Sequence, residues 1–316
     1  SGNSVATLHH FSAPLALATH ADFVAICNSS ALSLLHVPSH TVSLYPSFGR
    51  CRALAFAPDS LLVCSSAGFI AALEHVAMQW MQVAAVSPPL NANTSDAFGA
   101  SVRVGLHSLL VSDPLANGGK GAVFFFARSA GPQFVLVGQF KGEVQGGALG
   151  TGLALAPDEL RALAGGLNGQ PLLLLQRDSL TDAWRNVYQI EAEKNFGFAV
   201  GFLRMGAQIV ALSPSNVYVL EFTEKAYLAP NQIFDIDFPT LDPSCLSSDG
   251  NASFLVQSGS NPPLVSLYGQ TYAGFAPWEI VLIVVGSFVS AVMVLALTVV
   301  LVRRHRKRSQ YAQLVL

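Results

Sequence analysis

The stretch "FGASVRVGLHSLLVSDPLANGGKGAVFFFAR", residues 98–128, decides the fold of this 316-residue chain. It contains an apolar segment, a short turn, a second apolar segment, a polar glycine-rich stretch and a third apolar segment. Runs rich in Val, Leu and Phe that are bounded by Gly, Pro, Asp or Ser are typical of β-strands. The stretch therefore predicts three short strands in succession.

The same arrangement recurs along the chain. Each copy begins with an aromatic residue or leucine followed by a small residue, and successive copies start 37, 50, 51 and 47 residues apart. These pairs are Phe11-Ser12, Phe48-Gly49, Phe98-Gly99, Leu149-Gly150 and Phe196-Gly197.

A second strand is predicted at 22–28, 60–66, 108–114, 161–167 and 208–214, and in a sixth copy at 253–259. A third strand follows at 31–37, 68–75, 121–127, 171–177, 216–222 and 263–269, and a more polar fourth strand at 79–86, 132–140 and 183–190.

Four short strands in a repeat of about 45–50 residues are typical of a β-propeller blade. Phe can fill the gap between neighbouring blades, and Gly permits a close backbone approach or a special dihedral angle. We therefore predict an all-β fold, a six-bladed β-propeller over residues 1–272. Residues 4–11 would supply the outer strand of the last blade, because closing the ring leaves fewer exposed strand edges. An irregular β-sandwich with coincidental spacing is the alternative.

The repeat resembles the FG-GAP repeat of integrin α-subunit propellers and their protist and bacterial relatives. "FGASV" matches the start of that repeat, and "LLVSDP" stands where the family has Gly-Ala-Pro. Blade five has "FGFAVGF" and "IVALSP" at the same places. The motif residues are Phe48, Gly49, Phe98, Gly99, Phe196 and Gly197. Many family members carry an acidic Ca²⁺ loop between the first two strands of a blade.

The corresponding loops of this chain do not fit a calcium site. They read "VGLHS", "APDS", "APDE" and "LRMGAQ", and none clusters three acidic residues. Because Ca²⁺ takes about six to eight oxygen ligands, we predict no calcium in the blades. We expect no other metal and no cofactor.

Residues 280–302 form a run of 23 residues without a charged side chain, long enough to span a bilayer. "RRHRKR" follows directly at 303–308, and Trp278 precedes the run. Positive charge marks the cytoplasmic side, and Trp favours the membrane interface. We predict a type I single-pass protein of the plasma membrane or an endomembrane, with a linker at 273–279 and a cytoplasmic tail at 303–316. A buried core helix or strand pair is the alternative for the apolar run.

This topology also predicts a secretory signal before Ser1, either removed or outside the sequence given. Three N-x-[ST] sequons, at Asn28, Asn93 and Asn251, lie on the predicted lumenal or extracellular side, where they are usable. Residues 1–302 contain 12 basic and 19 acidic residues, a net charge of −7. We therefore predict no nucleic-acid partner.

Catalytic motifs are scarce. The sequence contains no H-E-x-x-H, G-x-S-x-G or phosphate-binding glycine loop, and we expect the protein not to be an enzyme. His36 and His40 are four residues apart, but Pro38 between them argues against a shared helical face. Trp80 and Trp184 occupy similar fourth-strand positions, where packing is favoured over an exposed binding platform.

Four cysteines, Cys27, Cys51, Cys64 and Cys245, permit three full disulfide pairings. Cys27 and Cys64 fall at equivalent strand positions in neighbouring blades. Packed sheets lie about 10 Å apart, whereas a disulfide usually needs Cα atoms within about 7 Å. Cys27 and Cys64 are therefore not the pair expected to form a disulfide. Cys51 and Cys64 lie across one predicted hairpin and are closer, and the pairing stays open.

The tail ends in "SQYAQLVL". Tyr311 and Leu314 resemble the Y-x-x-Φ sorting signal read by clathrin-adaptor complexes, a short peptide that adds to a strand edge. An apolar C-terminal ligand for PDZ-type domains and a passive tail anchored at anionic lipid are the alternatives.

These observations predict a surface or endomembrane receptor or adhesion-like module whose propeller binds another protein or a glycan. A structural subunit of a larger membrane complex is one alternative, and Gly286 and Ser290 form a small-xxx-small pair that could seat a partner helix. A propeller ectoenzyme that uses the central channel is the other.

Overall fold

The computed structural model describes most of the first 222 residues and four later strands. The described ranges are 16–27, 31–39, 41–45, 48, 51–66, 68–77, 79–90, 92–129, 133–191, 195–203, 208–213, 216–222, 228–235, 241–248, 253–258 and 265–269. The chain divides into two compact units, Ser1–Tyr268 and Gly269–Leu316. Apart from Gly269, the described residues belong to the first unit.

Within these ranges the protein is all-β, with six antiparallel sheets in chain order. The first sheet contains β1 (Ala16–His20), β2 (Phe23–Cys27), β3 (Leu32–His36) and β4 (Thr41–Tyr45). The second contains β5 (Ala53–Phe56), β6 (Leu62–Ser66), β7 (Phe69–Val76) and β8 (Gln79–Val86). The third contains β9 (Val102–Val104), β10 (Ser108–Asp113), β11 (Ala122–Arg128) and β12 (Phe134–Lys141), with the short helical turn α1 (Ala116–Gly119) between β10 and β11. The fourth contains β13 (Gly152–Leu155), β14 (Arg161–Gly165), β15 (Leu172–Gln176) and β16 (Arg185–Ile190). The fifth contains β17 (Ala199–Leu203), β18 (Gln208–Leu212), β19 (Asn216–Phe222) and β20 (Leu228–Asp235), and the sixth contains β21 (Leu241–Ser248), β22 (Ser253–Ser258) and β23 (Val265–Gly269).

Each sheet is a meander in which strands adjacent in sequence pair with each other. The first strand of every sheet lies beside the first strand of the next, in the order β1, β5, β9, β13, β17 and β21. The fourth strands consequently form the opposite edge of their sheets. This is the arrangement of blades in a propeller.

The predicted strands are confirmed where the structure describes them. All six second strands and all six third strands are present, and the fourth strands predicted at 79–86, 132–140 and 183–190 are β8, β12 and β16. The predicted closing strand at 4–11 and the apolar run at 280–302 lie outside the described residues. In the part of the chain that is described, no helix is long and apolar enough to cross a membrane. The number of blades stays a prediction.

The two central strands of the third sheet, β10 and β11, explain why the second and third strands of each copy are rich in apolar residues. Leu109 and Phe124 pack in the core shared with the second sheet, whereas Leu110 and Phe125 pack in the core shared with the fourth. Successive strand residues point to opposite faces, and here both faces are buried. A strand covered on both faces can bury apolar residues at successive positions rather than only at alternate ones.

The three repeat-starting pairs that the structure describes in full, Phe98-Gly99, Leu149-Gly150 and Phe196-Gly197, lie at the contacts between sheets. Phe98 is fully buried in the core between the second and third sheets. Gly99 has a φ of +84° and donates its N–H to the carbonyl of Ser112 at 2.8 Å. Gly150 and Gly197 have φ values of +95° and +83° and donate the equivalent bonds to Gly165 and Leu212. The repeat therefore marks positions where an aromatic or leucine fills the core and the next residue adopts a conformation that favours glycine.

Candidate functional site

A small cleft lies between the first and second sheets and is lined by rings and hydroxyl groups. Its lining residues are Phe23, Leu34, His36, Thr41, Ser43, His75 and Trp80. The pairing register brings them together, because Phe23 lies opposite His36, His36 opposite Thr41, and His75 opposite Trp80. Two rows of paired residues, one from each sheet, therefore face each other.

Phe23 is the centre of this group. Its ring centroid lies 5.0 Å from that of His36, 4.9 Å from that of His75 and 5.1 Å from that of Trp80, the last at 83°. These distances and the edge-on geometry are those of favourable aromatic pairs. The cluster holds the first two sheets together at this end.

Hydrogen bonds fix one side of the cleft. Nδ1 of His36 lies 2.6 Å from the Ser39 hydroxyl, which lies 2.8 Å from the Thr41 hydroxyl. The Trp80 backbone N–H donates to the Tyr45 hydroxyl at 3.2 Å, a second link between the two sheets. The cleft can therefore offer ring faces and exchangeable protons to a small polar group. Among the described residues, no group of three or more His, Cys, Asp or Glu side chains is placed to hold a metal ion.

A second candidate surface is the outer strand β12, at the edge of the third sheet. Three successive apolar side chains are exposed there, Val135 at 58%, Leu136 at 41% and Val137 at 46%. Natural edge strands are usually blunted by charged residues, Pro or short length. An eight-residue edge with apolar side chains on both faces is a template for pairing with another chain.

Two buried charged side chains link the fourth sheet to the third: Glu159 in the turn between β13 and β14, and Arg177 directly after β15. The Glu159 carboxylate, after β13, accepts from the N–H groups of Leu106 and His107 in the third sheet at 2.6 and 3.0 Å. The Arg177 guanidinium donates to the Ser108 hydroxyl at 2.6 Å and to the Glu159 carbonyl at 2.9 Å. Burial lowers the pKa of Arg177, and the nearby charge of Glu159 opposes that shift.

The same link recurs one sheet earlier. Arg128, at the end of β11, forms an ion pair at 2.7 Å with Asp59 in the β5–β6 turn. Arg128 ends the third strand of its sheet, and Arg177 directly follows the third strand of the next. Each donates its backbone N–H to a carbonyl in the turn between the first two strands of its own sheet, His107 for Arg128 and Leu160 for Arg177. These contacts are structural, because each charged group is used to dock one sheet on the next.

The predicted site residues fall in different places. Asn93 is exposed in the loop between β8 and β9, where an attached glycan would meet solvent. Asn28, Asn251, Gly49, Tyr311 and Leu314 lie outside the described residues. Phe48, Phe98 and Phe196 are buried in three different cores between sheets.

The two tryptophans pack in the interior, as favoured from the sequence. Trp80 is 6% exposed and lies in the cluster around Phe23, and Trp184 is 8% exposed. The Arg177 guanidinium carbon lies 4.7 Å above the ring centre of Trp184, a cation–π geometry. Neither ring is an exposed binding platform.

Phe23, His75, Glu159 and Arg177 were not identified from the sequence. Only Glu159 has a local signal in the sequence, because it directly follows the turn residues Ala156-Pro157-Asp158. In the structure its φ is +57°. The other three have no local pattern. Their contacts with another sheet, such as Phe23 with His75 and Arg177 with Ser108, form only when two sheets pack together.

Comparison with known proteins gives the fold. No protein-family model and no curated protein matches the chain. A solved structure of a protein from Lactobacillus plantarum is 13% identical, with a TM-score of 0.64 over 82% of this chain and 81% of that one. A Bacteroides fragilis structure named "putative 6-phosphogluconolactonase" is 14% identical, with a TM-score of 0.61 over 82% and 81%. A chain of a structure named "Mitotic Checkpoint Complex" is 13% identical, with a TM-score of 0.55 over 81% and 78%.

The fold is β-propeller-like and all-β. At these identities the likeness shows the fold alone, and what each neighbour does is not carried over to this chain.

One sequence-based expectation is wrong. We expected the protein not to be an enzyme because the sequence lacks catalytic motifs, but the Bacteroides fragilis neighbour carries the name of an enzyme. The fold of this chain is therefore shared with proteins named as enzymes. The absence of short catalytic motifs does not exclude an enzyme, because catalytic residues can come from segments that are far apart in sequence.

Proposed function

We propose that the chain is a type I single-pass membrane protein whose FG-GAP-like, six-bladed propeller binds another protein through the outer strand β12. The exposed apolar edge of β12 is the observation that supports this proposal most strongly. The uncharged run at 280–302, with the basic cluster that follows it, supports the membrane anchor and a lumenal or extracellular propeller.

The chemistry of β12 favours a protein over a glycan as the ligand. Val135, Leu136 and Val137 offer apolar contacts, and the outer edge of the strand offers backbone donors and acceptors. An extended peptide can add to such an edge, with main-chain hydrogen bonds for affinity and side-chain contacts for specificity. Apolar aliphatic side chains alone would leave the hydroxyl groups of a sugar without partners.

Lysine substitution on this edge tests the proposal. We expect the double variant Val135→Lys, Val137→Lys to fold normally and to reduce recovery of the bound protein about tenfold or more, because charge blocks an edge strand. The measurement is quantitative mass spectrometry of what co-purifies with the full-length protein in mild detergent.

Val42→Lys, Leu44→Lys on β4 is the matched control, since Val42 and Leu44 are exposed by 49% and 65% on another edge strand. It should leave recovery unchanged. A stoichiometric partner that is retained equally by both double variants would contradict docking on β12. That result would favour a structural subunit held through the membrane segment.

The tail signal is tested separately. Tyr311→Ala should move the protein toward the cell surface, because the adaptor pocket for the aromatic ring would be empty. Gln313→Ala, at a position that the Y-x-x-Φ pattern leaves open, should not. An unchanged steady-state distribution of Tyr311→Ala by surface biotinylation would remove the sorting proposal and the clathrin-adaptor contact.

A further inference from the structure

Three cysteine side chains meet in the core between the first and second sheets. Cys27 ends β2, Cys51 precedes β5, and Cys64 lies within β6. All three are fully buried. The Sγ atoms of Cys51 and Cys64 lie 2.9 Å apart, and Cys27 Sγ lies 3.2 Å from the backbone carbonyl oxygen of Cys51, to which it donates. Cys51 is therefore in contact with both of the others.

The arrangement suits a disulfide between Cys51 and Cys64. A disulfide needs its sulfur atoms at about 2.0 Å, so these two would have to approach by only roughly 1 Å. The packing around them is apolar, with Leu54, Leu62 and Trp80 in the same core. A thiol pair buried there has few other polar partners.

We propose that Cys51 and Cys64 form a disulfide, and that Cys27 can replace Cys64 as the partner of Cys51 by thiol–disulfide exchange. The bond forms when the two thiols together lose two protons and two electrons to a small disulfide such as glutathione disulfide, which is reduced to two thiols. In the exchange, the Cys27 thiolate attacks Cys51 Sγ, the Cys51–Cys64 bond breaks, and Cys64 leaves as a thiolate that takes up the proton that Cys27 has lost.

The two forms differ in what they join. Cys51 and Cys64 both belong to the second sheet, so their bond is local. A bond between Cys27 and Cys51 would join the first sheet covalently to the second. The exchange therefore decides whether the two sheets that form the Phe23 cleft are covalently linked.

In the reduced cluster, before any disulfide has formed, the pKa values of Cys27 and Cys51 shift in opposite directions. A hydrogen bond from the Cys51 side chain lowers the pKa of Cys27. Hydrogen bonds to Cys27 and Cys64, together with burial, raise the pKa of Cys51. Cys27 is consequently the more readily ionised of these two, and the thiolate is the nucleophilic form.

Tryptic digestion separates the three cysteines, which makes the test direct. Trypsin cleaves after Lys and Arg, and the first 103 residues contain Arg50, Arg52 and Arg103 and no Lys. Cys27, Cys51 and Cys64 therefore fall in the separate peptides 1–50, 51–52 and 53–103. The full-length protein is equilibrated with a glutathione redox buffer, denatured in N-ethylmaleimide without reduction, digested and analysed by mass spectrometry. We expect 51–52 to be linked to 53–103 as the main species. Alkylation of all three cysteines, or linkage of any of them to Cys245 instead, would overturn the proposal.

The variant Cys64→Ser tests the exchange. It should link 1–50 to 51–52, whereas Cys27→Ser should keep the link between 51–52 and 53–103. If Cys64→Ser leaves Cys27 and Cys51 fully alkylated, the exchange is wrong and only the local disulfide stands. The peptide analysis of the unsubstituted protein shows whether the Cys51–Cys64 disulfide forms, even if a variant fails to fold.

Discussion

Gly150→Ala should lower the free energy of unfolding by roughly 2–5 kcal/mol. Gly150 has a φ of +95°, a backbone conformation that costs an L-residue with a side chain about 1–2 kcal/mol. A Cβ there would also lie 2.6 Å from Cβ of Ser112 and 3.1 Å from Cγ2 of Val123. Overpacking of a close-packed interior adds about 1–3 kcal/mol. Since Ser112 and Val123 belong to the third sheet, the substitution would push the third and fourth sheets apart.

Gly68→Ala is the matched control. Gly68 has a similar φ of +83°, but a Cβ there would have no neighbour within 4 Å. It should cost only the conformational part, about 1–2 kcal/mol. Urea denaturation followed by the fluorescence of the buried tryptophans gives both values. Equal losses for the two variants would show that sheet packing at Gly150 is not the cause.

Arg177→Met should lower the free energy of unfolding by about 3–5 kcal/mol. Arg177 is 2% exposed and donates hydrogen bonds to the Ser108 hydroxyl and to the carbonyls of Glu159 and Leu180. Methionine would fill much of the volume but leave these acceptors without their donor. It would also remove the cation whose charge acts on the buried Glu159 carboxylate, which is costly because a buried charge is then less compensated.

Arg185→Met is the matched control for this prediction. Arg185 pairs with Asp178 at 2.6 Å, but the two side chains are 58% and 64% exposed. An exposed pair contributes about 0–1 kcal/mol, so this variant should be nearly as stable as the unsubstituted protein. A loss below about 1 kcal/mol for Arg177→Met in the same urea series would show that the buried network does not hold the third and fourth sheets together.

The strands were predictable because their signal is local. The second and third strands are buried on both faces, so β11 is apolar at every position but Arg128, β10 has the apolar run Leu109–Val111 at its centre, and Gly or Pro bounds them. The beginning of the third, fourth and fifth repeats was equally readable, because a positive φ beside a filled core favours glycine at Gly99, Gly150 and Gly197. The residue type at such a position follows from the backbone alone.

The surfaces were not predictable in the same way. His75 was not identified, although it lies in the Phe23 cleft. One of its ring contacts, Phe23, comes from another sheet and lies about 50 residues away in the chain. Val135, Leu136 and Val137 look like any buried strand in sequence, and only the position of β12 at the edge of its sheet makes them exposed.

By itself the sequence determined that the chain is all-β, where its central strands lie and which glycines begin its repeats. Each of these depends on the conformation and burial of a short segment. The tertiary structure decided that Phe23, His36, His75 and Trp80 share a cleft, that Arg177 and Glu159 dock on the third sheet, and that Cys27 of the first sheet contacts Cys51. These contacts depend on how one sheet packs and registers against another, and no short stretch of sequence contains both partners.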